Sequence, residues 1–295
     1  MLDYNAPLRD MRFVLNELIG FERIGQLQGC DEINQELSDA VLEEASKLAS
    51  DVLAPLNRVG DIEGSQLDGS VVTTPTGWKD AYNAFRESGW CSLSMNPEYG
   101  GQGFPKVIAT AVAEMWDSSN MSFSLCPLLT NGAIEAVEQH GDALLKSLYL
   151  EKLVSGEWAG TMNLTEPQAG SDLSTVRTKA TPSGNHYLIQ GQKIYITYGE
   201  HDLTGNIIHL VLARTPDAPA GTKGISLFVV PKYLVNSDGS LGDRNDLRCI
   251  SLEHKLGIHA SPTAVMSYGD QGGAVGYLVG EENKGLMYMF TMMNA

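Results

Sequence analysis

From Ile33 onward the apolar positions recur at helical spacing: Ile33, Leu37, Val41, Leu48 and Val52 share one face. This predicts a helix ending at Ala54-Pro55, because proline lacks the amide hydrogen that a helix interior needs. Residues 61–77 are rich in Gly, Asp and Ser and predict a loop. Trp78, Tyr82 and Phe85 then fall on one face of a second helix over 78–88. Asn96-Pro97-Glu98-Tyr99-Gly100-Gly101-Gln102-Gly103 breaks the chain, and helical stretches follow at 105–117, 127–139 and 142–154. Upstream, residues 1–32 read as a polar and aromatic extension with one short helical pattern over 8–18.

After Trp158 the period changes. Short alternating or apolar runs occupy 158–164, 174–181, 186–190, 193–198, 206–214, 224–230, 247–254 and 263–268. Turn-forming segments such as Ser-Gly-Asn and Ser-Asp-Gly-Ser separate them. Such spacing predicts a compact β barrel or sandwich. Residues 283–295 return to a helical pattern, with Leu286, Met289, Phe290 and Met293 on one face and no stop signal. The predicted fold is α+β. An extension (1–32) leads into a helical domain (33–157) and a β domain (158–280). The first helix of a C-terminal helical domain (281–295) then reads as cut off.

Charge narrows the function. The chain has 36 acidic and 20 basic residues and a net charge of −16. Nucleic-acid binding draws on clustered Lys and Arg, so no nucleic-acid partner is expected. Cys30, Cys91, Cys126 and Cys249 form no C-x-x-C pair and match no zinc spacing. They read as buried reduced thiols of a cytosolic protein. MLDYNAPLRDMRF has no apolar leader, and no window approaches the length of a membrane span. The expected setting is cytoplasmic, without a membrane partner.

Two segments are candidates for chemistry. Met162-Asn163-Leu164-Thr165-Glu166-Pro167-Gln168-Ala169-Gly170-Ser171-Asp172 starts as an apolar strand and breaks at Pro167. Pro167 ends regular pairing, while Gly170 and Ser171 permit close backbone approach and add a hydroxyl. By composition alone this is also an ordinary strand end and turn. Lys193-Ile194-Tyr195-Ile196-Thr197-Tyr198-Gly199 is a second apolar strand ending in a hydroxyl and a glycine, which is normal strand composition taken singly. His254 and His259 lack a third ligand at metal spacing. His201-Asp202 has no G-x-S-x-G nucleophile to serve and reads as a loop. The Gly100–Gly103 loop lacks the Lys-Ser/Thr of a phosphate loop and reads as a turn that borders a pocket.

These segments, followed by Glu253-His254-Lys255-Leu256-Gly257-Ile258-His259-Ala260-Ser261 and Gly280-Glu281-Glu282-Asn283-Lys284-Gly285, fall in an order that resembles the acyl-CoA dehydrogenase family. YNAPLRDMRFVLNEL and the run Gly199-Glu200-His201-Asp202-Leu203-Thr204 resemble the branch of the 3-methylmercaptopropionyl-CoA dehydrogenases. The resemblance implies FAD as cofactor and α,β-dehydrogenation of an acyl-CoA thioester. It also implies electron transfer to an electron-transfer flavoprotein, and a homodimer or tetramer at full length.

The resemblance further assigns Met162, Asn163, Leu164, Thr165, Gly170 and Ser171 to one flavin strand and its turn. Ser171 is placed beside both the FAD pyrophosphate and the CoA chain. Tyr195, Ile196 and Thr197 are assigned to a second flavin strand, with the Thr197 hydroxyl near flavin N5. Many members carry Trp where this chain has Tyr195; the tyrosine still supplies a flat face, and the departure leaves the shielding of the flavin from oxygen open. Glu166 has a structural role in the resemblance. The catalytic glutamate belongs to a C-terminal domain that nothing in this sequence matches, so no catalytic residue is assigned. Two other readings stay open: a flavin- or acyl-CoA-binding module without turnover, and an acyl-CoA oxidase.

Overall fold

The computed structural model describes every residue except 1–3, 28 and 31. Those residues belong to the predicted extension, and that part of the prediction lies outside the described residues. The rest of the extension is more helical than its sequence suggests. Helix α1 (Leu8–Phe13) passes through a π-helical segment (Val14–Gly20) into α2 (Phe21–Gly25). Arg12 fastens it to the following helix, donating to Asp39 (3.0 Å) and Glu43 (2.5 Å).

Helix α3 (Gln35–Leu48) begins where Asn34 Oδ1 accepts from Leu37 N–H (2.9 Å), a cap that satisfies one orphan donor. The helical path does not end at Pro55. A π-helical segment (Ala49–Leu53) carries it into α4 (Ala54–Glu63), with Pro55 just after the change from π to α winding. The predicted loop contains a hairpin of β1 (Gln66–Asp68) and β2 (Val71–Thr73). Helix α5 (Trp78–Glu87) buries Trp78, Tyr82 and Phe85 as their spacing predicts.

The two helices expected at 105–117 and 127–139 form one bent run, α6 (Lys106–His140). The bend is at Asn120 (φ −157°, ψ 82°). Its side chain compensates for the lost helical bonds: Oδ1 accepts from Phe123 N–H, and Nδ2 donates to Leu53 O at the end of the π segment, both at 3.1 Å. Helix α7 (Ala143–Val154) is capped by Asp142, whose Oδ1 accepts from Leu145 N–H (2.8 Å).

The β half holds β3 (Trp158–Asn163), β4 (Lys179–Ser183), β5 (His186–Thr197), β6 (Asn206–Ala213) and β7 (Ser226–Pro231). Then come β8 (Tyr233–Val235), β9 (Leu241–Arg244), β10 (Leu247–Leu252), β11 (Thr263–Tyr268) and β12 (Ala274–Leu278). The two runs expected at 186–190 and 193–198 are one strand, and β8, β9 and β12 have no counterpart in the predicted set. The main sheet runs β10-β11-β5-β12-β7-β6-β3, with β4 also paired to β5. Beyond β3 the sheet curls back on itself, because Ile194 N–H of β5 donates to Thr165 O (2.9 Å). Reciprocal bonds between the β4 edge and the end of β6 add closure: Arg214 N–H to Thr178 O (2.9 Å) and Ala180 N–H to Arg214 O (2.8 Å).

Strand β6 is buried along its whole length, as expected for a strand covered on both faces. Ile208, Leu210 and Leu212 pack towards Ala133, Val137, Leu150 and Leu153 of the helices. Val211 and Ala213 alternate with them and face Ile189, Phe228, Val230 and Met266 inside the barrel. The seam between the halves is tight at Gly160 of β3. Its N–H donates to Thr130 Oγ1 (3.1 Å), and a Cβ added there would lie 2.3 Å from Ala133 Cβ. Gly160→Ala is therefore expected to destabilise the chain by about 1–3 kcal/mol through overpacking. Adding Ala133→Gly should recover part of that loss in denaturant unfolding, and strictly additive effects would contradict this packing account.

Helix α8 (Gly285–Met293) closes the described chain. Its buried residues are Gly285, Tyr288, Met289 and Met292, while Phe290 and Met293 are exposed. The buried stripe is thus rotated from the predicted one. The reason is Gly132 of α6, where an added Cβ would lie 2.6 Å from Met292 O, so α8 docks through its Met292 side.

Candidate functional site

The β3 strand and its turn are held by one buried carboxylate. Glu166 N–H donates to Ala169 O and Ala169 N–H to Glu166 O, both at 2.9 Å, which folds Pro167 and Gln168 into a tight turn. The Glu166 side chain is 3 % exposed and points inward. It accepts from Lys193 Nζ (2.8 Å), Thr178 Oγ1 (2.6 Å), Thr178 N–H (3.0 Å), Arg177 N–H (2.7 Å) and Gln168 Nε2 (2.5 Å). Lys193 also donates to Leu164 O (2.9 Å). Lys193 therefore pins the segment that follows β3 to β5. Sequence reading assigns Lys193 no role; the available signal is a charge at an inward-facing position of an apolar strand.

Burial alone would raise the Glu166 carboxyl, but the Lys193 ammonium and the hydrogen bonds from Lys193, Thr178 and Arg177 hold it below the ordinary value of 4.5. Asp202 behaves similarly: burial opposes ionisation, while Lys79 and Thr74 hold its carboxyl below 3.8. A depressed carboxyl contributes stability that is complete above its ordinary value and is lost as pH falls through its folded value. Stability should therefore fall with pH below 4.5. Asp202→Asn should flatten that fall in a series of thermal unfolding midpoints, and an unchanged slope would refute the assignment to Asp202.

The residues assigned to flavin contact divide into two sets. Thr165, just beyond β3, and Thr197, at the end of β5, are half-buried, and Thr161 Oγ1 donates to Thr197 O (2.7 Å). Neither the Thr165 nor the Thr197 hydroxyl has a hydrogen-bond partner among the described residues. Met162 and Leu164 are half-buried against the helical core. Gly170 and Ser171 are exposed on the turn, and an added Cβ at Gly170 would meet nothing within 4 Å.

Tyr195 is 60 % exposed and sits at φ +60°, where the β5–β11 register slips between Ala264 and Met266. A bulged strand redirects a side chain, and a left-handed tyrosine is strained unless its surroundings enforce it. Here Tyr198, also left-handed at φ +51°, anchors the strand end by donating to Ser122 O (2.6 Å).

The second set faces inward. Ile196 is buried in the barrel core. The Asn163 side chain is fully buried: its Oδ1 accepts from Tyr268 Oη (2.7 Å), and Tyr268 Oη lies 3.0 Å from His209 Nδ1. Only their backbones remain available for a ligand. Burial, with Lys232 and Arg244 nearby, pushes His209 down to about 3, so it is neutral at physiological pH.

The other candidates have structural positions. Asp202 turns away from His201, accepting from Thr74 N–H (3.1 Å), Thr74 Oγ1 (2.7 Å) and Lys79 (2.9 Å). His201 Nδ1 instead accepts from Leu203 N–H (3.2 Å). Glu200 binds Lys232 and Arg244, so the 200–202 run clamps the helical half to the barrel. Gly101 packs so closely that an added Cβ would lie 2.0 Å from Met95 O, which makes the 100–103 segment a pinned turn. His259 lies 3.0 Å from both Asp61 O and Lys255 O. Among the described residues no helix is long and apolar enough to cross a membrane.

Comparison with known proteins fits this arrangement. Residues 35–157 match the family model "Acyl-CoA dehydrogenase, N-terminal domain" and residues 161–270 match "Acyl-CoA dehydrogenase, middle domain". The chain is 53% identical over 295 residues to 3-methylmercaptopropionyl-CoA dehydrogenase of Ruegeria pomeroyi, covering 100% of this chain and 50% of that protein. It is 38% identical to a butyryl-CoA dehydrogenase of Syntrophomonas wolfei, covering 99% and 50%. The chain thus spans about half the length of the curated relatives it matches. In fold it is similar to an acyl-CoA dehydrogenase from Bacillus anthracis solved in complex with FAD. That comparison has a TM-score of 0.70 at 22% identity, covering 89% of this chain and 40% of that one. Carrying the N-terminal helical and middle β domains in order, the chain belongs to the acyl-CoA dehydrogenase family.

Proposed function

We propose that this chain is the flavin- and thioester-holding part of an FAD-dependent acyl-CoA dehydrogenase that passes electrons to an electron-transfer flavoprotein. The observation that carries the reading is the joining of two strand ends by the Ile194 N–H to Thr165 O bond (2.9 Å). It brings Thr165 beside the end of β5 that carries Thr197 and the exposed Tyr195 ring. That set of groups suits a flavin: two uncommitted hydroxyls for its polar edge and one aromatic face beside it. Bound FAD would supply the hydride acceptor.

The residues of this chain hold and orient. Leu164 and Thr165 present backbone and hydroxyl groups, Thr197 presents a hydroxyl, and Gly170 and Ser171 leave the turn open for a pyrophosphate or pantetheine chain. Fixed donors aimed at developing negative charge need no reorganisation during reaction. The α-proton base comes from outside these residues. Glu166 is committed to Lys193, Thr178 and Arg177, and Glu282 accepts from Tyr187 and Thr215. The likeness to the Ruegeria protein favours a short thioether acyl-CoA, 3-methylmercaptopropionyl-CoA, as substrate.

Mixing the purified chain with FAD and following its visible absorbance band on adding 3-methylmercaptopropionyl-CoA or butyryl-CoA tests the reading. Retained flavin supports it. Bleaching by the chain alone would place the base within it and overturn that part. A chain that retains neither flavin nor acyl-CoA would sink the whole reading. Peroxide release in air would assign an oxidase instead, the reading that Tyr195 keeps open.

A further inference from the structure

His209 is a polar side chain in an apolar place. It sits midway along β6, opposite Thr161 of β3 and Val230 of β7, on the face that Val211 and Ala213 also turn into the barrel. Burying an imidazole is costly unless its nitrogens find partners. Here only one does: Nδ1 lies 3.0 Å from Tyr268 Oη, while Nε2 has no hydrogen-bond partner among the described residues. An apolar side chain would suit the barrel core better, so what the ring contributes is the bond to Tyr268.

The direction of that bond follows from its neighbours. Tyr268 has a single hydroxyl hydrogen, and its nearer acceptor is Asn163 Oδ1 (2.7 Å). Turning the Asn163 amide round would set its oxygen against Thr161 O, which Nδ2 now reaches at 3.3 Å. His209 Nδ1 must then carry the hydrogen that Tyr268 Oη accepts. Asn163 Nδ2 stands farther from the ring, 3.4 Å from Nδ1. Burial, with Lys232, Arg244 and His201 near the ring, keeps it neutral, so Nε2 stays bare. The bonds form one directed chain, from His209 to Tyr268, on to Asn163, and from Asn163 to Thr161 O. Thr161 Oγ1 extends it to Thr197 O (2.7 Å). The chain thus links β6, β11, β3 and β5 and ends within the candidate site. Asn163 immediately precedes Leu164 and Thr165, and Thr197 carries the second hydroxyl.

We propose that His209 and Tyr268 are positioning residues for the flavin edge, holding through Asn163 and Thr161 the backbones that carry the Thr165 and Thr197 hydroxyls. The inference rests on the flavin reading above. Neither residue touches a ligand: both are buried behind the strands. Each bond in such a buried chain polarises the next, so breaking it at Tyr268 loosens every member beyond. Donors act on developing charge only while their positions are fixed, which is what the relay supplies.

The relay is tested first without flavin. In the 295-residue chain, NMR of nitrogen-labelled histidine should show His209 neutral with its hydrogen on Nδ1. A hydrogen on Nε2 would reverse the relay and overturn the proposal. In the complete enzyme, Tyr268→Phe keeps the ring but unlinks His209 from Asn163. Both then lack a partner, so the unfolding midpoint should fall, and rates are read per folded, flavin-bearing enzyme. Substrate-dependent flavin bleaching should slow about tenfold as the donors shift, with KM for the acyl-CoA unchanged and the flavin reduction potential lowered. His209→Leu should act likewise. His209→Asn, whose amide nitrogen can stand where Nδ1 stands, should restore most of the rate. Thr197→Val should slow bleaching much less in the Tyr268→Phe background than alone, because the hydroxyl it removes is already out of place. A lowered midpoint with unchanged rate and potential, or equal Thr197→Val effects in both backgrounds, would overturn the proposal and leave the flavin reading standing. A wild-type enzyme that holds no flavin would fail both.

Discussion

Lys193→Met is expected to destabilise the chain by about 3–5 kcal/mol, the usual loss when one member of a buried ion pair is removed and the other stays charged. Lys193 is 0 % exposed and Glu166 3 %. Methionine fills most of the lysine volume, so the cavity contribution is small and the effect reports on charge. Glu166 would keep donors from Thr178, Arg177 and Gln168 but lose the cation it pairs with, and Leu164 O would lose a donor. The damage should be local as well as global. The 166–175 turn should become cleavable by protease at low denaturant, before the helical half unfolds. Glu166→Gln in the Lys193→Met background should cost less than Glu166→Gln alone, because the stranded charge is gone, although the glutamine amide cannot accept from both Arg177 and Thr178. Denaturant unfolding of the four proteins measures the coupling. A Lys193→Met cost below about 1 kcal/mol would show that the pair is better hydrated than its burial implies.

The same pair shows how far sequence reading reaches. Periodicity exposes an element when one face is buried, which is why α5 and α7 and the switch to strands at Trp158 are legible. It fails where a side chain repairs a break. Asn120 rebinds both Phe123 N–H and Leu53 O, so residues 118–126 look unhelical in sequence yet join two helices. Pro55 misleads because a π-helical segment leads into it and the helical path continues past it. Strand β12 is short, with two glycines just ahead of it, and takes its place through pairing with β5 and β7, which local sequence does not encode.

At the site, residue types and order single out the two segments, but not which side chains face out. Asn163 and Ile196 point inward because β3 and β5 alternate across a barrel wall. Tyr195 points out because a bulge resets that alternation. A bulge depends on the partner strand, so one strand's sequence does not reveal it.

Thr165→Val and Thr197→Val are the substitutions with the largest expected effect on chemistry. In the complete enzyme each should slow substrate-dependent flavin bleaching by about 100-fold, the loss seen when one fixed donor to a developing anion is removed. Valine keeps the β-branched shape, so strand packing and unfolding midpoints should hold. The bond from Ile194 N–H to Thr165 O and that from Thr161 Oγ1 to Thr197 O both use backbone carbonyls and survive either change. The hydroxyls themselves have no hydrogen-bond partner among the described residues to lose. A purely structural role therefore predicts a small rate effect and a fall in stability, the reverse of the pattern expected here. FAD affinity supplies the second readout. If the donors act on charge that develops in the reaction, affinity for oxidised FAD should change little while the reduction potential falls, because the anionic reduced form loses a partner. If Thr197→Val releases FAD without lowering the potential of the fraction still bound, the hydroxyl serves binding alone. An unchanged bleaching rate in both variants would mean that neither hydroxyl meets the flavin's reacting edge.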